Sequence, residues 1–204
     1  MIARMKWLLA LAVVLLAWPA TAAVLGDARV PYSAHCALTI DGQAYQGMLY
    51  AKPGFQRHEQ MLGGVNEVAI LDIAAGRGYF IVPLLKSYID FPIDRAMREL
   101  SSPDVKGAPA GRERVNGVVT TKYRVAHRAD DGTRIDGFVW LTESGVPMRG
   151  NGTVAVPDGK KTPFGWELSQ LQIGPQAPSL FQPPEGFYRL PASALPGFLG
   201  GQGG

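Results

Sequence analysis

The chain has 204 residues, of which 47% are hydrophobic and 18% are charged, and its formal net charge is +3. Two of the 20 lysines and arginines precede the first apolar segment, so the remainder of the chain, with 17 acidic residues, is close to neutral. Basic residues are scattered and are not interleaved with aromatic ones, which argues against a nucleic-acid-binding surface. The length suits one domain with a substantial core.

The first segment predicts export from the cytoplasm. Two basic residues precede the apolar run Trp7–Trp18, and small residues follow it, as in a secretory signal peptide covering residues 1–22. The alternative is an uncleaved anchor reaching Leu25, but Pro19 and Thr21 interrupt the roughly 20 apolar residues that a membrane span needs. No cysteine ends the run, so a lipid-modified N-terminus is not expected. We therefore expect a soluble periplasmic protein with one domain over residues 23–190 and a flexible Gly-rich tail over 191–204.

Short strands separated by turn residues fill the first half of the mature chain. Val30–Ile40 alternates so that Cys36 shares one face with Tyr32, Ala34, Leu38 and Ile40, opposite Ser33, His35, Thr39 and Asp41. A lone cysteine cannot form an internal disulfide, and this pattern favours a buried hydrophobe over a reactive thiol. Gly78–Leu85 is apolar on both faces, so we expect it to be covered on both sides, with a bend near Pro83. The predicted strands are Val30–Ile40, Ala44–Ala51, Phe55–Leu62, Val65–Ile73, Gly78–Leu85 and Lys86–Phe91.

Helical spacing is found after Pro92. In Ile93–Leu100, the apolar residues Ile93, Met97 and Leu100 lie along one side of a short helix. The following Pro/Gly-rich segment Asp104–Ala110 is too short to be a domain linker, and we interpret it as the loop between two halves of one sheet.

The second half is organised around a long hairpin. Val118–Thr142 contains two runs rich in Val, Thr and aromatic residues, and they flank the turn Asp130-Asp131-Gly132. Four further elements are predicted: the strands Arg112–Val115, Val146–Val156 and Phe164–Ile173, and a last edge strand at Gly186–Leu190. One helical turn is expected at Pro178–Phe181. About ten short strands predict a mainly β fold, as a sandwich, barrel or half-barrel.

The sequence shows no catalytic machinery. His58-Glu59 resembles the start of a zinc-protease motif, but Leu62 stands where the second histidine is required, and the segment is predicted to be a strand. His35, His58 and His127 lie on three predicted strands and could converge on a metal, although three histidines are ordinary in a domain of this size. We therefore expect no enzyme activity, no metal and no cofactor.

Aromatic and sulfur-containing apolar residues are the remaining candidates for function. Each residue taken singly is more typical of a core, but a curved sheet with one short helix over its concave face has little to cover that face. Either the face is filled by its own side chains, or it leaves room for an apolar guest. The candidate ligand-binding residues are Met48, Tyr50, Phe80, Tyr88, Met97, Tyr123, Trp140 and Trp166.

Several segments resemble the LolA/LolB-like family of bacterial envelope lipoprotein carriers, over about residues 31–190. In the first half these are Lys52–Glu59, Asp72, Gly78–Phe80 and Lys86–Tyr88. The second half is similar to uncharacterised periplasmic relatives of the carriers, at Val115–Gly117, Thr121–Tyr123, Trp140–Pro147 and Leu180–Phe187. The resemblance implies an open antiparallel half-barrel with short lid helices over a hydrophobic concave face, which the carriers use for acyl chains.

One residue departs from the carriers' pattern. They have an arginine, credited with holding the lid, at the position of Lys52, and a lysine cannot make the forked hydrogen bonds of a guanidinium. Three functions remain open. The first is non-catalytic binding of a lipid-like ligand or an acylated lipoprotein, and the second is contact with an envelope protein partner through a filled concave face. The third is a hydrolase or metal-dependent enzyme that uses the histidines.

Overall fold

Twelve β-strands form one sheet in the part of the chain that the structure describes. The structure is a computed structural model, and it describes residues 29–62, 65–93, 109–128 and 132–191. The strands are β1 (Tyr32–Ile40), β2 (Gln43–Lys52), β3 (Phe55–Leu62), β4 (Val65–Asp72), β5 (Arg77–Val82), β6 (Ser87–Pro92), β7 (Pro109–Val115), β8 (Val118–Arg128), β9 (Arg134–Leu141), β10 (Pro147–Ala155), β11 (Lys161–Ile173) and β12 (Tyr188–Leu190). Their spatial order is β12-β6-β5-β4-β3-β2-β1-β11-β10-β9-β8-β7, so the sheet is open.

Two meanders make up this sheet. Strands β1 to β6 are neighbours in chain order, as are β7 to β11, and the antiparallel pair β1–β11 joins the two sets. All neighbours are antiparallel except β12, which returns to lie parallel to β6. Because adjacent strands twist relative to each other, a sheet with this many strands curls instead of staying flat. The predictions of a mainly β fold and of an open sheet are confirmed, and the sheet is antiparallel except at β12.

Asp-Gly and Asn-Gly pairs close two of the hairpins. The φ angles are 50° and 79° at Asp41 and Gly42, and 48° and 82° at Asn116 and Gly117. Positive φ at both central residues is typical of type I′ turns, whose twist matches that of the strands they join. These two turns therefore follow directly from the local sequence.

The register assigns each side chain to one of two faces, because antiparallel partners point to the same side of a sheet. We call the face that carries Cys36 the inner face, and the opposite one the outer face. On β1 the inner residues are at most 9% exposed, whereas His35 and Thr39 on the outer face are exposed. The predicted alternation of this strand is confirmed. The inner residues of β1 are Tyr32, Ala34, Cys36, Leu38 and Ile40.

Two segments cover parts of the outer face. After β11, the 3₁₀ turn Pro178–Phe181 buries Phe181 against Ile70 and Ile81, and Arg57 Nη1 donates a hydrogen bond of 3.0 Å to the carbonyl oxygen of Leu180. In the other half, the turn between β7 and β8 reaches back over β11. Asn116 Nδ2 donates hydrogen bonds to the carbonyl oxygen of Leu168 at 2.8 Å and to the carboxylate of Glu167 at 3.0 Å.

The end of β5 differs from the prediction. The strand stops at Val82 because Pro83 begins a 3₁₀ turn, in which Leu84 and Leu85 are 85% and 58% exposed. Proline has no N–H for the ladder and a fixed φ, so it ends the strand, and the expectation that Gly78–Leu85 is covered on both sides is wrong here. The predicted loop Asp104–Ala110 is also too long, since β7 begins at Pro109.

Some predicted segments lie outside the described residues. They are the signal peptide, the helix after Ile93 with Met97, the turn residues Asp130 and Asp131, and the tail beyond Pro191. In the ranges that the structure describes, no helix has the length and apolar character needed to cross a membrane.

Candidate ligand-binding face

Two stacked rings on β11 lie at the centre of the inner face. The centroids of Phe164 and Trp166 are 6.2 Å apart, with an angle of 11° between the ring planes. Trp166 Nε1 donates a 3.1 Å hydrogen bond to the carbonyl oxygen of Pro147, so the buried indole has its polar atom paired. Gly150 lies opposite Trp166 on β10, and a Cβ there would overlap the indole. The glycine therefore makes room for the ring.

The inner face is filled at its centre and partly exposed at its flanks. In the centre, Leu38, Leu168 and Trp166 are at most 7% exposed. Toward the edges, large apolar side chains are half-buried, namely Tyr45 and Phe80 in the first half and Tyr123, Val125 and Val154 in the second. Apolar side chains therefore extend across both halves of the inner face, and accessible apolar surface is found mainly at the flanks.

Strand β3 interrupts this apolar face with buried polar side chains. Its inner residues Gln56, His58 and Gln60 are 0%, 4% and 4% exposed, and Glu67 on β4, opposite Gln60, is 4% exposed. His58 Nε2 lies 3.1 Å from Gln56 Oε1, and Gln60 Nε2 donates a 3.3 Å hydrogen bond to Glu67 Oε2. We call these four residues the polar stripe. Buried polar groups are costly unless they are paired, so the stripe requires an explanation.

Burial sets the charge states around the stripe. It lowers the pKa of His58 to about 3, which keeps the imidazole neutral at pH 7. It raises the pKa of Glu67, an effect that the hydrogen bond from Gln60 partly opposes. Burial also raises the pKa of Tyr45, with a further contribution from the charge of Glu67, and it raises the pKa of the Cys36 thiol to about 12. Cys36, Tyr45 and His58 are therefore uncharged at neutral pH.

A hollow lies beside the stripe at Gly47. Gly47 faces Cys36 on β1 and Gln60 on β3, and a Cβ at this position would overlap the carbonyl group of Glu59. The missing side chain therefore permits a close approach of β2 and β3. It leaves a cavity of about 10 Å³, whose lining includes Cys36, Leu38, Tyr45, Gly47, His58 and Gln60.

Lys52, which replaces the carriers' arginine, contacts the outer face. Its Nζ lies 4.5 Å from the ring centroid of Phe55 and 4.7 Å from that of Phe181. Those rings contact each other with centroids 5.8 Å apart. Lys52 therefore makes cation–π contacts with the segment that follows β11, contacts that are worth about 0.5–1 kcal/mol each at exposed sites.

The predicted ligand-binding residues lie on both faces. Phe80, Tyr123 and Trp166 point to the inner face, whereas Met48, Tyr50, Tyr88 and Trp140 point to the outer face, and Met97 is outside the described residues. On the outer face, Trp140 is buried between two cations, with Lys122 Nζ and the Arg149 guanidinium 4.7 Å and 5.5 Å from its ring centroid. The eight residues therefore do not form one site, and their role in binding stays a prediction.

The amino-acid sequence does not by itself predict the polar stripe. Its signal was present, since Gln56, His58 and Gln60 alternate along β3 with Phe55, Arg57 and Glu59. Both sets contain polar residues, so the alternation does not by itself say which set is buried. The three histidines do not converge in the described structure, because His35 is on the outer face and His58 and His127 lie on β3 and β8. No group of three or more His, Cys, Asp or Glu residues that could hold a metal is found in the described ranges.

Comparison with solved structures shows a similarity of fold. An uncharacterised conserved protein from Thermus thermophilus has a TM-score of 0.50 at 12% identity, over 85% of this chain and 94% of that chain. A LolA superfamily protein from Nitrosomonas europaea has a TM-score of 0.44 at 7% identity, over 80% of this chain and 97% of that chain.

A third similar structure is the MucA/MucB complex of Pseudomonas aeruginosa. Its TM-score is 0.42 at 16% identity, and the match covers 87% of this chain but 60% of that chain. No protein-family model matches the chain, and the search of curated proteins found no similar sequence.

Proposed function

We propose that this chain is a non-catalytic binding protein of the bacterial periplasm that takes a lipid-like or lipoprotein acyl group against its inner face. The observation that carries the proposal is an open sheet whose inner face is apolar in both halves and partly exposed at the flanks. Burial of each CH₂ of an acyl chain contributes about 0.8 kcal/mol of favourable free energy. Burial of roughly a dozen carbons against such a face therefore contributes about 10 kcal/mol. Ordering costs consume part of this, and micromolar affinity is the expected result.

The connection between β6 and β7 is the candidate for a lid. Residues 93–108 connect β6, next to one edge, with β7 at the other edge. Ten strand intervals separate these two strands, which is roughly 48 Å across a flat sheet. We propose that this connection crosses the inner face as a half-barrel lid that includes the predicted helix Ile93–Leu100, with Met97 toward the guest. A helix advances only about 1.5 Å per residue, so this arrangement needs the sheet to curl and bring β6 closer to β7.

The test is saturable binding of a fluorescent fatty-acyl probe. Met97→Lys should weaken probe binding at least about tenfold while changing the thermal transition little, because a charge would then face the acyl chain. Met97→Leu is the matched control and should bind nearly as wild type does. Absence of saturable binding to wild type would refute the acyl-binding proposal. Unfolding of the lysine variant would instead identify Met97 as core.

The compartment has its own test. We propose that the signal peptide is removed, so that the exported protein begins at Ala23 or Val24. Intact mass spectrometry of the periplasmic fraction should give the mass of that shorter chain. Recovery of the full-length chain from the membrane fraction would contradict the proposed location.

A second candidate is an envelope protein-interaction domain with a filled inner face. Two observations favour it: the centre of the inner face is already buried, and Leu84, Leu85 and Tyr188 expose large apolar side chains near one end of β5, β6 and β12. Large exposed apolar side chains that lie together are typical of contact surfaces. The two candidates differ in the probe experiment, since a filled face predicts no saturable acyl binding.

A further inference from the structure

We propose that the hollow at Gly47 is a hydrogen-bonding subsite for a guest that carries an N–H or O–H donor beside its acyl chain. The inference rests on the proposed function and adds a preference within it, namely acyl amides and alcohols over esters and ethers.

Two buried acceptor oxygens near the hollow have no hydrogen-bond partner among the described residues. They are Gln60 Oε1 and Glu67 Oε1. The hydrogen bond between the two side chains runs from Gln60 Nε2 to Glu67 Oε2, so it does not involve Gln60 Oε1 or Glu67 Oε1. A buried acceptor without a donor is costly, so the two oxygens favour an occupant that supplies one.

The size of the hollow limits that occupant. A cavity of about 10 Å³ is close to the minimum that holds one water molecule. It therefore admits one small donor group, and the rest of an amphiphilic guest must lie elsewhere on the inner face. Apolar residues continue on both sides of the hollow, with Leu38 in the cross-strand row on one side and Leu49 in the row on the other. Both leucines are buried, so an alkyl chain attached to the donor would lie on the half-buried Tyr45, which also lines the hollow.

The chemistry of the lining selects a donor over an acceptor. Gln60 lines the hollow, and its Oε1 presents lone pairs that are unpaired among the described residues. Glu67 lies behind it as the hydrogen-bond partner of Gln60, and the neighbouring imidazole of His58 is neutral because burial lowers its pKa. An ester or ether oxygen placed here would face another acceptor, Gln60 Oε1, whereas an amide N–H or a hydroxyl would donate to it. Sites built to bond a donor reject analogues that lack it, since their own polar groups are then left unpaired.

Two pairs of probes test the preference in competition with the fluorescent fatty-acyl probe. N-ethyl dodecanamide is compared with ethyl dodecanoate, and dodecan-1-ol with its methyl ether. A purely apolar face would favour the ester and the ether, because the donor-bearing members lose more hydration on burial. We expect the opposite order, with the amide, the alcohol or both binding at least about tenfold more tightly than the matched compound. The two pairs distinguish an N–H from an O–H donor.

Substitutions test whether Gln60 and Glu67 cause the preference for probes that carry a donor. In the double variant Gln60→Leu with Glu67→Leu, the preference should fall below about twofold, while the ester and the ether still bind. Gln56→Leu is the matched control, because Gln56 is equally buried on the same face of β3 but does not line the cavity, and it should retain the preference.

Thermal unfolding separates a ligand-binding role from a structural one. If the acceptors serve a guest, the double variant should melt at or above the wild-type temperature, because two unpaired buried oxygens and their partner groups are replaced by apolar groups. A marked loss of stability would make the stripe structural and overturn the inference.

The binding outcomes are distinct. Saturable probe binding without any preference for donors overturns this inference alone, and a water molecule then explains the hollow. No saturable binding of any probe overturns the proposed function as well.

Discussion

Gly150→Ala provides a direct test of how the aromatic centre of the inner face is packed. A Cβ at position 150 would overlap the Trp166 ring, which is itself held by the hydrogen bond from Nε1 to the carbonyl oxygen of Pro147. The ring must move to admit the methyl group. Overpacking of a core costs about 1–3 kcal/mol and loss of a buried hydrogen bond about 1 kcal/mol more. We therefore expect a loss of roughly 2–4 kcal/mol in the free energy of unfolding.

The assay is thermal unfolding followed by circular dichroism. For a domain of this size, 1 kcal/mol corresponds to about 2–4 °C, so the Tm should fall by roughly 5–15 °C, and the near-ultraviolet signal of the displaced indole should change. Gly165→Ala is the matched control, because the nearest atom to a Cβ on Gly165 is 3.5 Å away, an ordinary contact. Equal Tm values for the two alanine variants would show that Trp166 is not packed against Gly150 and would contradict the assigned face.

Three further predictions follow from other parts of the molecule. Cys36, which is buried and has its pKa raised to about 12, should not react with a thiol reagent in the native protein at pH 8 but should react fully in denaturant; rapid native labelling would place it on the exposed face. His58 has a pKa of about 3 in the folded chain against an ordinary value of 6.5. As the pH falls, the unfolded state therefore binds the proton of His58 before the folded state does, and the free energy of unfolding decreases between pH 6.5 and pH 3. His58→Gln should remove up to about 1.4 kcal/mol per pH unit of that slope in chemical denaturation, and parallel pH profiles would contradict the assignment. Phe181→Ala should release the segment after β11 from the outer face, because Phe181 is 3% exposed and anchors the Pro178–Phe181 turn; limited proteolysis should then cut between residues 174 and 190 before the sheet is degraded, and unchanged cleavage would argue against the anchor.

The outer cover shows how burial depends on distant parts of the chain. Phe55 and Arg57 are partly buried because Leu180 and Phe181 lie over β3, more than a hundred residues later in the sequence. The sequence of β3 does not by itself predict that contact. The outer set of β3 supplies Phe55 to the contact with Phe181.

The strands and turns of this protein were predictable because they depend on neighbouring residues. Asp41-Gly42 and Asn116-Gly117 adopt positive φ at low cost, and the period-two alternation of Val30–Ile40 selects the buried side of β1. Pro83 also marked the place where β5 gives way to a turn, although the exposure of Leu84 and Leu85 did not follow from their apolar character.

Only the tertiary structure determines which residues of different strands share a face of the sheet. Alternation divides each strand into two sets, but only the register between strands says which sets lie together, and the irregularity between Pro147 and Arg149 changes that register locally. For this reason Trp140 and Trp166, both candidates for one pocket by composition, lie on opposite faces. For the same reason Gly47, Gln60 and Glu67, which carry no distinguishing signal in the sequence, meet in one cross-strand row, in which Gly47 and Gln60 line the hollow.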